Sequence, residues 1–98
     1  MKTTVTETTF VDAFRAFRPK NFSYDGLRVL FNYLEEYETD TGEELELDVI
    51  AICCGFAEYR DIKEFQRDYS DEYLTIEDIE EDTTVIMINH ESFIIQIF

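Results

Sequence analysis

The sequence predicts an α+β fold in which about three antiparallel strands, ending in a C-terminal hairpin, pack against one main helix and two or three short helices. Apolar residues recur at helical spacing in one long segment, alternate with acids in a second, and form two β-branched runs at the end of the chain. The 98 residues suffice for one domain, residues 1–98, with a single modest core.

The main helix is predicted over Tyr24–Glu38. Ser23 is a candidate N-cap, because its side chain can accept a hydrogen bond from the first turn, and Gly42 marks the exit turn. Five apolar residues fall on one face at i, i+3, i+4 and i+7 spacing: Leu27, Leu30, Phe31, Leu34 and Tyr37.

Three shorter helices are predicted around it. Val5–Phe10 is polar and aperiodic, so we expect it to be extended, with a short helix that opens near Thr9 and stops at Pro19. Further short helices are predicted over Asp61–Tyr69 and Thr75–Glu81, each of which carries spaced apolar residues.

The first strand is predicted over residues 45–54. Leu45, Leu47 and Val49 alternate with acids, and Val49–Cys54 is continuously apolar, as in a strand covered on both faces. The cysteines at 53 and 54 are adjacent in sequence, and neighbouring residues of a strand point to opposite faces. We therefore expect them to be reduced, buried core residues.

The hairpin is predicted from Thr84–Asn89 and Ser92–Phe98, joined around an exposed His90. In the second strand, Phe93, Ile95 and Ile97 are expected to face one way, and Ile94 and Phe98 the other. Both faces of the sheet are therefore apolar and require cover.

Acidic residues dominate the charge. The chain has 23 Asp and Glu against 8 Lys and Arg, for a formal net charge of −15. This charge is uneven: a basic-leaning N-terminal segment, residues 1–21, carries +2, and an acidic core, residues 22–98, carries −17. Such a chain lacks the clustered cations that direct nucleic-acid binding needs, and its 45% hydrophobic content argues against disorder.

The acids concentrate in two clusters near the C-terminal ends of predicted helices, where the helix dipole disfavours them. Acids placed against this local rule indicate a functional surface. Cluster 1 consists of Glu35, Glu36, Glu38, Asp40, Glu43 and Glu44, and cluster 2 of Glu77, Asp78, Glu80, Glu81 and Asp82.

No catalytic, cofactor or metal motif is found. The three glycines stand alone rather than in a phosphate-binding loop, the single histidine has no nucleophile placed beside it, and the acids lack the spacing of a calcium-binding loop. A chain of this size leaves little room for a cleft between paired carboxylates. We therefore expect neither enzyme activity nor a cofactor, and a small acidic hydrolase is only a third alternative.

The charge is large enough to imitate a nucleic acid. Duplex DNA carries one negative charge per ~1.7 Å of its axis, so seventeen charges correspond to ~29 Å of duplex. Carboxylates on one helix face recur every ~5–6 Å, a spacing that suits a row of Lys and Arg side chains.

From Phe22 onward the chain resembles small acidic proteins encoded by phages and plasmids, and five stretches carry the resemblance. They are Phe22–Leu27, Leu34–Glu38, Thr41–Glu44, Leu47–Cys54, which ends in the double cysteine, and the closing Thr84–Phe98. The resemblance covers about three quarters of the chain. It implies an origin in a mobile element and similarity to anti-defence inhibitors of the anti-CRISPR or anti-restriction kind, but it identifies no site residues.

Together these observations lead us to expect a non-enzymatic inhibitor in the host cytoplasm. It would use the eleven acids of both clusters to bind a basic nucleic-acid-binding protein, such as a defence nuclease or CRISPR effector, without binding nucleic acid or membrane itself. Tyr33, Tyr37 and Tyr73 are candidates for anchoring contacts. The alternative is an interaction module or homodimer that binds through apolar surface, with acidity serving solubility alone.

Overall fold

The computed structural model describes residues 5–98, and Met1–Thr4 of the basic-leaning segment lie outside the described residues. The predicted α+β class is confirmed: helices cover both faces of a three-stranded antiparallel sheet. The elements are α1 (Glu7–Phe17), α2 (Tyr24–Thr41), α3 (Val49–Gly55), β1 (Phe56–Tyr59), α4 (Ile62–Asp68), α5 (Ile76–Glu80), β2 (Val85–Met87) and β3 (Phe93–Gln96).

The strand β3 lies at the centre of the sheet, in the order β1-β3-β2. Phe56 is paired with Gln96, and Val85 with Ile95, so the starts of β1 and β2 and the end of β3 meet at one end of the sheet. We call this end of the sheet the acidic end, because acids of both clusters lie beside it. The predicted C-terminal hairpin is confirmed as β2 and β3, with His90 exposed in the turn between them.

Alternation along β3 divides the interior into two cores. Ile94 packs with α1, α2 and α3 on one face, and Phe93 and Ile95 pack with α4 and α5 on the other. All three side chains are fully buried. Both apolar faces of the sheet are therefore covered within this chain.

Side chains of the predicted types cap every helix. Each N-cap side chain accepts a hydrogen bond from the backbone two or three residues on, and Gly42 adopts the left-handed conformation (φ 73°) that ends α2. The N-caps are Thr6, Ser23, Asp48, Asp61 and Thr75.

The N-terminal expectation was wrong in its boundary. The first helix begins after Thr6, not near Thr9, and it takes in most of the segment that we expected to be extended. The reason is local: the Thr6 side chain accepts a hydrogen bond from the Thr9 backbone N–H at 3.2 Å and caps the helix three residues earlier.

The predicted strand over residues 45–54 is also wrong. Residues 42–48 form no regular element, and Val49–Gly55 is the short helix α3, opened by Asp48, whose carboxylate accepts from the Ala51 N–H at 3.0 Å. The strand that completes the sheet is instead β1, directly after this helix. Cys53 is half-buried and Cys54 exposed, so the expectation of two buried core cysteines fails for Cys54.

Two further side chains lie elsewhere than expected. Tyr37 is 43% exposed rather than part of the buried face of α2. Phe98 does not share a face with Ile94; its ring stacks on Tyr69 in the second core, on the side of α4. The chain has left the β3 ladder by this point, so strict alternation no longer applies.

A carboxylate from β1 fixes the start of α2. Glu58 Oε1 accepts hydrogen bonds from Ser23 N at 3.0 Å and from Ser23 Oγ at 3.1 Å, and it lies against Gly26 in the first turn. A Cβ atom at Gly26 would stand 1.8 Å from this oxygen. The glycine therefore leaves room for a negative group at the positive end of the helix dipole.

We predict that Gly26→Ala lowers the free energy of unfolding by about 1–2 kcal/mol, because Glu58 must leave the helix terminus. In a Glu58→Ala background the same substitution should cost little, since alanine favours helix by about 1 kcal/mol over glycine. Urea denaturation followed by circular dichroism measures all four proteins of this cycle. An equal cost in both backgrounds would show that Glu58 is not the cause.

Candidate acidic binding surface

Cluster 1 lies on the last turns of α2 and the loop after it. Most of its side chains are exposed, while Glu35 and Glu38 are half-buried. The last turn of α2 contains no basic residue, so the acids stand beside the unpaired carbonyls of the helix end. Glu36 and Asp40 are four residues apart and share a shallow surface groove with Glu35.

One member of cluster 1 has a structural role. Glu38 Oε2 accepts a hydrogen bond from Leu45 N at 2.6 Å, which ties the loop after α2 back to the helix. Leu45 and Leu47 in this loop pack against the first core. We therefore do not count Glu38 among the side chains available to a partner.

Cluster 2 lies on α5 and the turn that follows it. Asp78 closes a capping box: its Oδ2 accepts from Leu74 N at 3.0 Å and from Thr75 N at 3.2 Å. Asp82 Oδ2 accepts a hydrogen bond of 2.5 Å from the Tyr73 hydroxyl. This bond, ahead of burial and nearby acids, raises the pKa of Tyr73 to about 12. Both aspartates therefore hold the local structure.

Eight predicted site residues remain free to meet a partner. Their carboxylates accept no hydrogen bond and form no ion pair within residues 5–98. They are Glu35, Glu36, Asp40, Glu43, Glu44, Glu77, Glu80 and Glu81.

Cluster 1 and the last three residues of cluster 2, Glu80–Asp82, lie on opposite faces of the sheet but at the same end. The start of α2 touches Glu58 of β1, and further along the helix the Tyr33 ring lies 6.2 Å from the Phe56 ring. These contacts orient α2 antiparallel to β1, so its acidic turns project beyond Phe56. On the other face, Thr84, just after cluster 2, accepts from Gln96 N at 3.1 Å. The acidic end is thus defined by cluster 1 and by Glu80–Asp82 of cluster 2. The start of α5, next to Glu77, instead lines a groove with His90 and Glu91 at the opposite end of the sheet.

Few cations balance this charge. In the described part of the chain, Arg28 forms an ion pair with Glu7 at 2.7 Å and Arg60 with Glu64 at 3.6 Å, both away from the two clusters in sequence. The basic-leaning segment places Arg15, Arg18 and Lys20 at the end of α1 and in the turn after it. None of the eight free carboxylates forms a side-chain ion pair with a cation among residues 5–98.

The cysteines and the three candidate anchor tyrosines are the remaining side chains that the sequence singled out. Within the described residues, no group of three or more His, Cys, Asp or Glu side chains is arranged to hold a metal ion. Burial raises the pKa of the Cys53 thiol, which favours the unreactive form. Of the three tyrosines proposed as anchors, Tyr33 packs on Phe56 and Tyr73 binds Asp82, while Tyr37 remains exposed.

Sequence reasoning missed the residues whose roles depend on distant contacts. Glu58 at the start of α2 is one, and the half-exposed Phe98 ring beside cluster 2 is another. No local signal marks either residue, because their partners lie far from them in the chain.

The comparisons with known proteins give no family. No family model, curated protein or solved structure matches this chain. No helix within residues 5–98 is both long and apolar enough to cross a bilayer. The fold and the site together define a three-layer α+β domain with an acidic end.

We predict that Asp40→Lys raises the free energy of unfolding by about 0.3–1 kcal/mol at low salt, because it places a cation at the negative end of α2 and removes a repulsive charge. Thermal denaturation at 20 mM and 1 M NaCl measures the gain, which should shrink as salt screens it. Asp40→Asn is the control and should give a smaller gain. An unchanged or lowered stability of the lysine variant would contradict a cost of these acids to the fold.

Proposed function

We propose that this protein is a non-enzymatic inhibitor, which binds a basic nucleic-acid-binding protein through its acidic end and thereby competes with nucleic acid. The observation that carries the proposal is the set of seven unpaired carboxylates at one end of the fold, which leaves out Glu77 at the start of α5. The sequence resemblance to small phage and plasmid proteins supports a host defence nuclease or CRISPR effector as the partner, met in the host cytoplasm.

Rigidity favours this use of the acids. Glu35, Glu36 and Asp40 stand on a helix of 18 residues whose other face is buried, and Glu80 and Glu81 follow the buried Ile79. Because folding already fixes the backbone positions of these acids, a partner has to order only their side chains when it binds. The longest dimension of the fold is 42 Å. It exceeds the ~29 Å of duplex DNA that carries seventeen negative charges.

Acids on two faces of the sheet, rather than in one row, suit a partner that has a basic groove. A flat anionic stripe would match a flat basic surface, whereas carboxylates on both sides of a sheet edge can contact both walls of a cleft that normally encloses a nucleic acid. The end of the sheet, where Phe56 is paired with Gln96, lies between the acids of the two clusters. Association of this kind is fast and falls steeply with ionic strength.

The alternative, binding through apolar surface, has less support. Both sheet faces are covered by helices, and the most exposed apolar side chains, Leu74 at 72% and Phe17 at 64%, lie on separate elements rather than in one patch. Light scattering at micromolar concentration and partner binding at 0.5 M salt test it. A dimer, or binding that persists at that salt concentration, would favour the apolar module.

The central test uses two double charge reversals, Glu35→Lys with Glu36→Lys and Glu80→Lys with Glu81→Lys. Each double variant should weaken partner binding by about tenfold or more at 0.1 M salt, because attraction becomes repulsion at the contact. The matched control, Asp12→Lys with Glu91→Lys, makes the same change of net charge at exposed acids of α1 and of the β2–β3 turn and should bind nearly normally.

The measurement has two stages. Immobilised protein captures its partner from nuclease-treated host lysate, and the purified partner is then tested for duplex DNA binding in the presence of wild-type or variant protein. We expect a nucleic-acid-binding partner whose DNA binding is blocked by wild type and by the control variant. Capture of a protein that does not bind nucleic acid, or equal blocking by all variants, would remove the electrostatic mechanism.

A further inference from the structure

A groove opens at the acidic end beside cluster 2. It lies between the turn after α5 and the end of the chain beyond β3, with a volume of about 600 Å³. Ile97 and Phe98 line it and remain 46% and 47% exposed. Glu80, Glu81 and Asp82 also line it, and no base of residues 5–98 is among the lining residues.

The Phe98 ring is held in place from three directions. It stacks on Tyr69 with a centroid distance of 4.6 Å and an interplanar angle of 9°, and it lies 6.4 Å from the nearly parallel Phe65 ring. The Tyr73 ring meets it edge-on, at 6.2 Å and 80°. The part of the ring that these contacts leave exposed lines the groove.

The acidic side of the groove is tied to the same supports. Tyr73, whose ring touches Phe98, donates its hydroxyl hydrogen bond to Asp82. Thr83 Oγ1 donates to the Gln96 carbonyl oxygen at 2.5 Å, which fastens the acidic turn to the end of β3. An aromatic ring and three acidic residues therefore line one groove, and hydrogen bonds and ring contacts join the segments that carry them.

This combination suits one side chain above others. A guanidinium group is planar and weakly hydrated, stacks on aromatic rings, and pairs with carboxylates through two parallel hydrogen bonds. The lysine ammonium group is strongly hydrated and has no flat face, so it gains less from the ring. The negative charge of the lining excludes an acidic or phosphorylated occupant.

We propose that this groove is a receptor for an arginine side chain of a basic protein partner, with Phe98 as the stacking surface and Glu80 and Glu81 as the pairing carboxylates. The inference rests on the proposed function, because it names the contact by which the acidic end would distinguish arginine from general positive charge. It adds an aromatic anchor that charge alone does not require.

The test compares two labelled peptides, nona-arginine and nona-lysine, by fluorescence polarisation at 0.15 M salt. Wild type should bind the arginine peptide more tightly. Phe98→Leu should lower this arginine-to-lysine preference about two- to fivefold, while binding of the lysine peptide changes little. Phe98→Tyr keeps a ring and should retain the preference, and Phe17→Leu, at an exposed ring of α1, is the matched control.

A measurement without mutation accompanies these variants. In NMR titrations of wild type with N-acetyl-arginine amide, the ligand side-chain protons should shift upfield and show contacts to the Phe98 ring. The overturning results are a preference unchanged in Phe98→Leu, or ligand contacts that avoid this ring. Near-UV circular dichroism identifies any variant whose aromatic core has rearranged, and the titration then decides alone.

The two proposals fail in different ways. If Glu80→Lys with Glu81→Lys weakens binding of both peptides but Phe98→Leu leaves their ratio unchanged, the acidic end binds cations without an arginine receptor. If neither charge-reversed double variant weakens binding of the peptides or of the captured partner, the proposed function itself is wrong.

Discussion

The alternation of side chains along β3 is the constraint on which the rest of the structure depends. Three consecutive residues, Phe93, Ile94 and Ile95, are fully buried, and they point in turn to the two faces of the sheet. A strand of this kind must be paired on both edges and covered on both sides. The chain meets both requirements with only three strands, by placing α1, α2 and α3 on one face and α4 and α5 on the other. Cluster 1 and the last residues of cluster 2 therefore lie on opposite faces at the same end of the sheet.

Much of the fold could be predicted because its signals are local. Ser23, Asp61 and Thr75 each accept a hydrogen bond within three residues, so a helix start is visible in the sequence itself. The run Val49–Cys54 misled because a short apolar segment has no distinguishing period, and the capping role of Asp48 was the signal that could have separated helix from strand. The strand β1, four residues long and only partly apolar, is defined by its pairing to β3 and not by its own pattern.

The same distinction between local signals and distant contacts applies to the residues of the candidate site. Sequence position was enough to locate cluster 1 at the end of α2, beside Gly42. It was wrong for Glu77 and Asp78 of cluster 2, which lie in the first turn of α5. It was not enough to separate structural carboxylates from exposed ones. Glu38 turns toward Leu45, and Asp82 toward Tyr73, through contacts that only the folded chain creates. The same holds for Phe98, whose departure from strand alternation places its ring beside cluster 2.

This division of the acids bears on why the surface is so negative. Acids that serve only solubility can stand anywhere on a surface, and they cost least near helix starts, where the dipole attracts them. The chain does use that position: Glu58 lies at the start of α2, and Asp78 caps α5. Yet it also keeps Glu36 and Asp40 near the end of α2, where the dipole and their mutual repulsion oppose them and no base is present in the last turn. Solubility does not require that placement, and attraction of the proposed cationic partner would account for it.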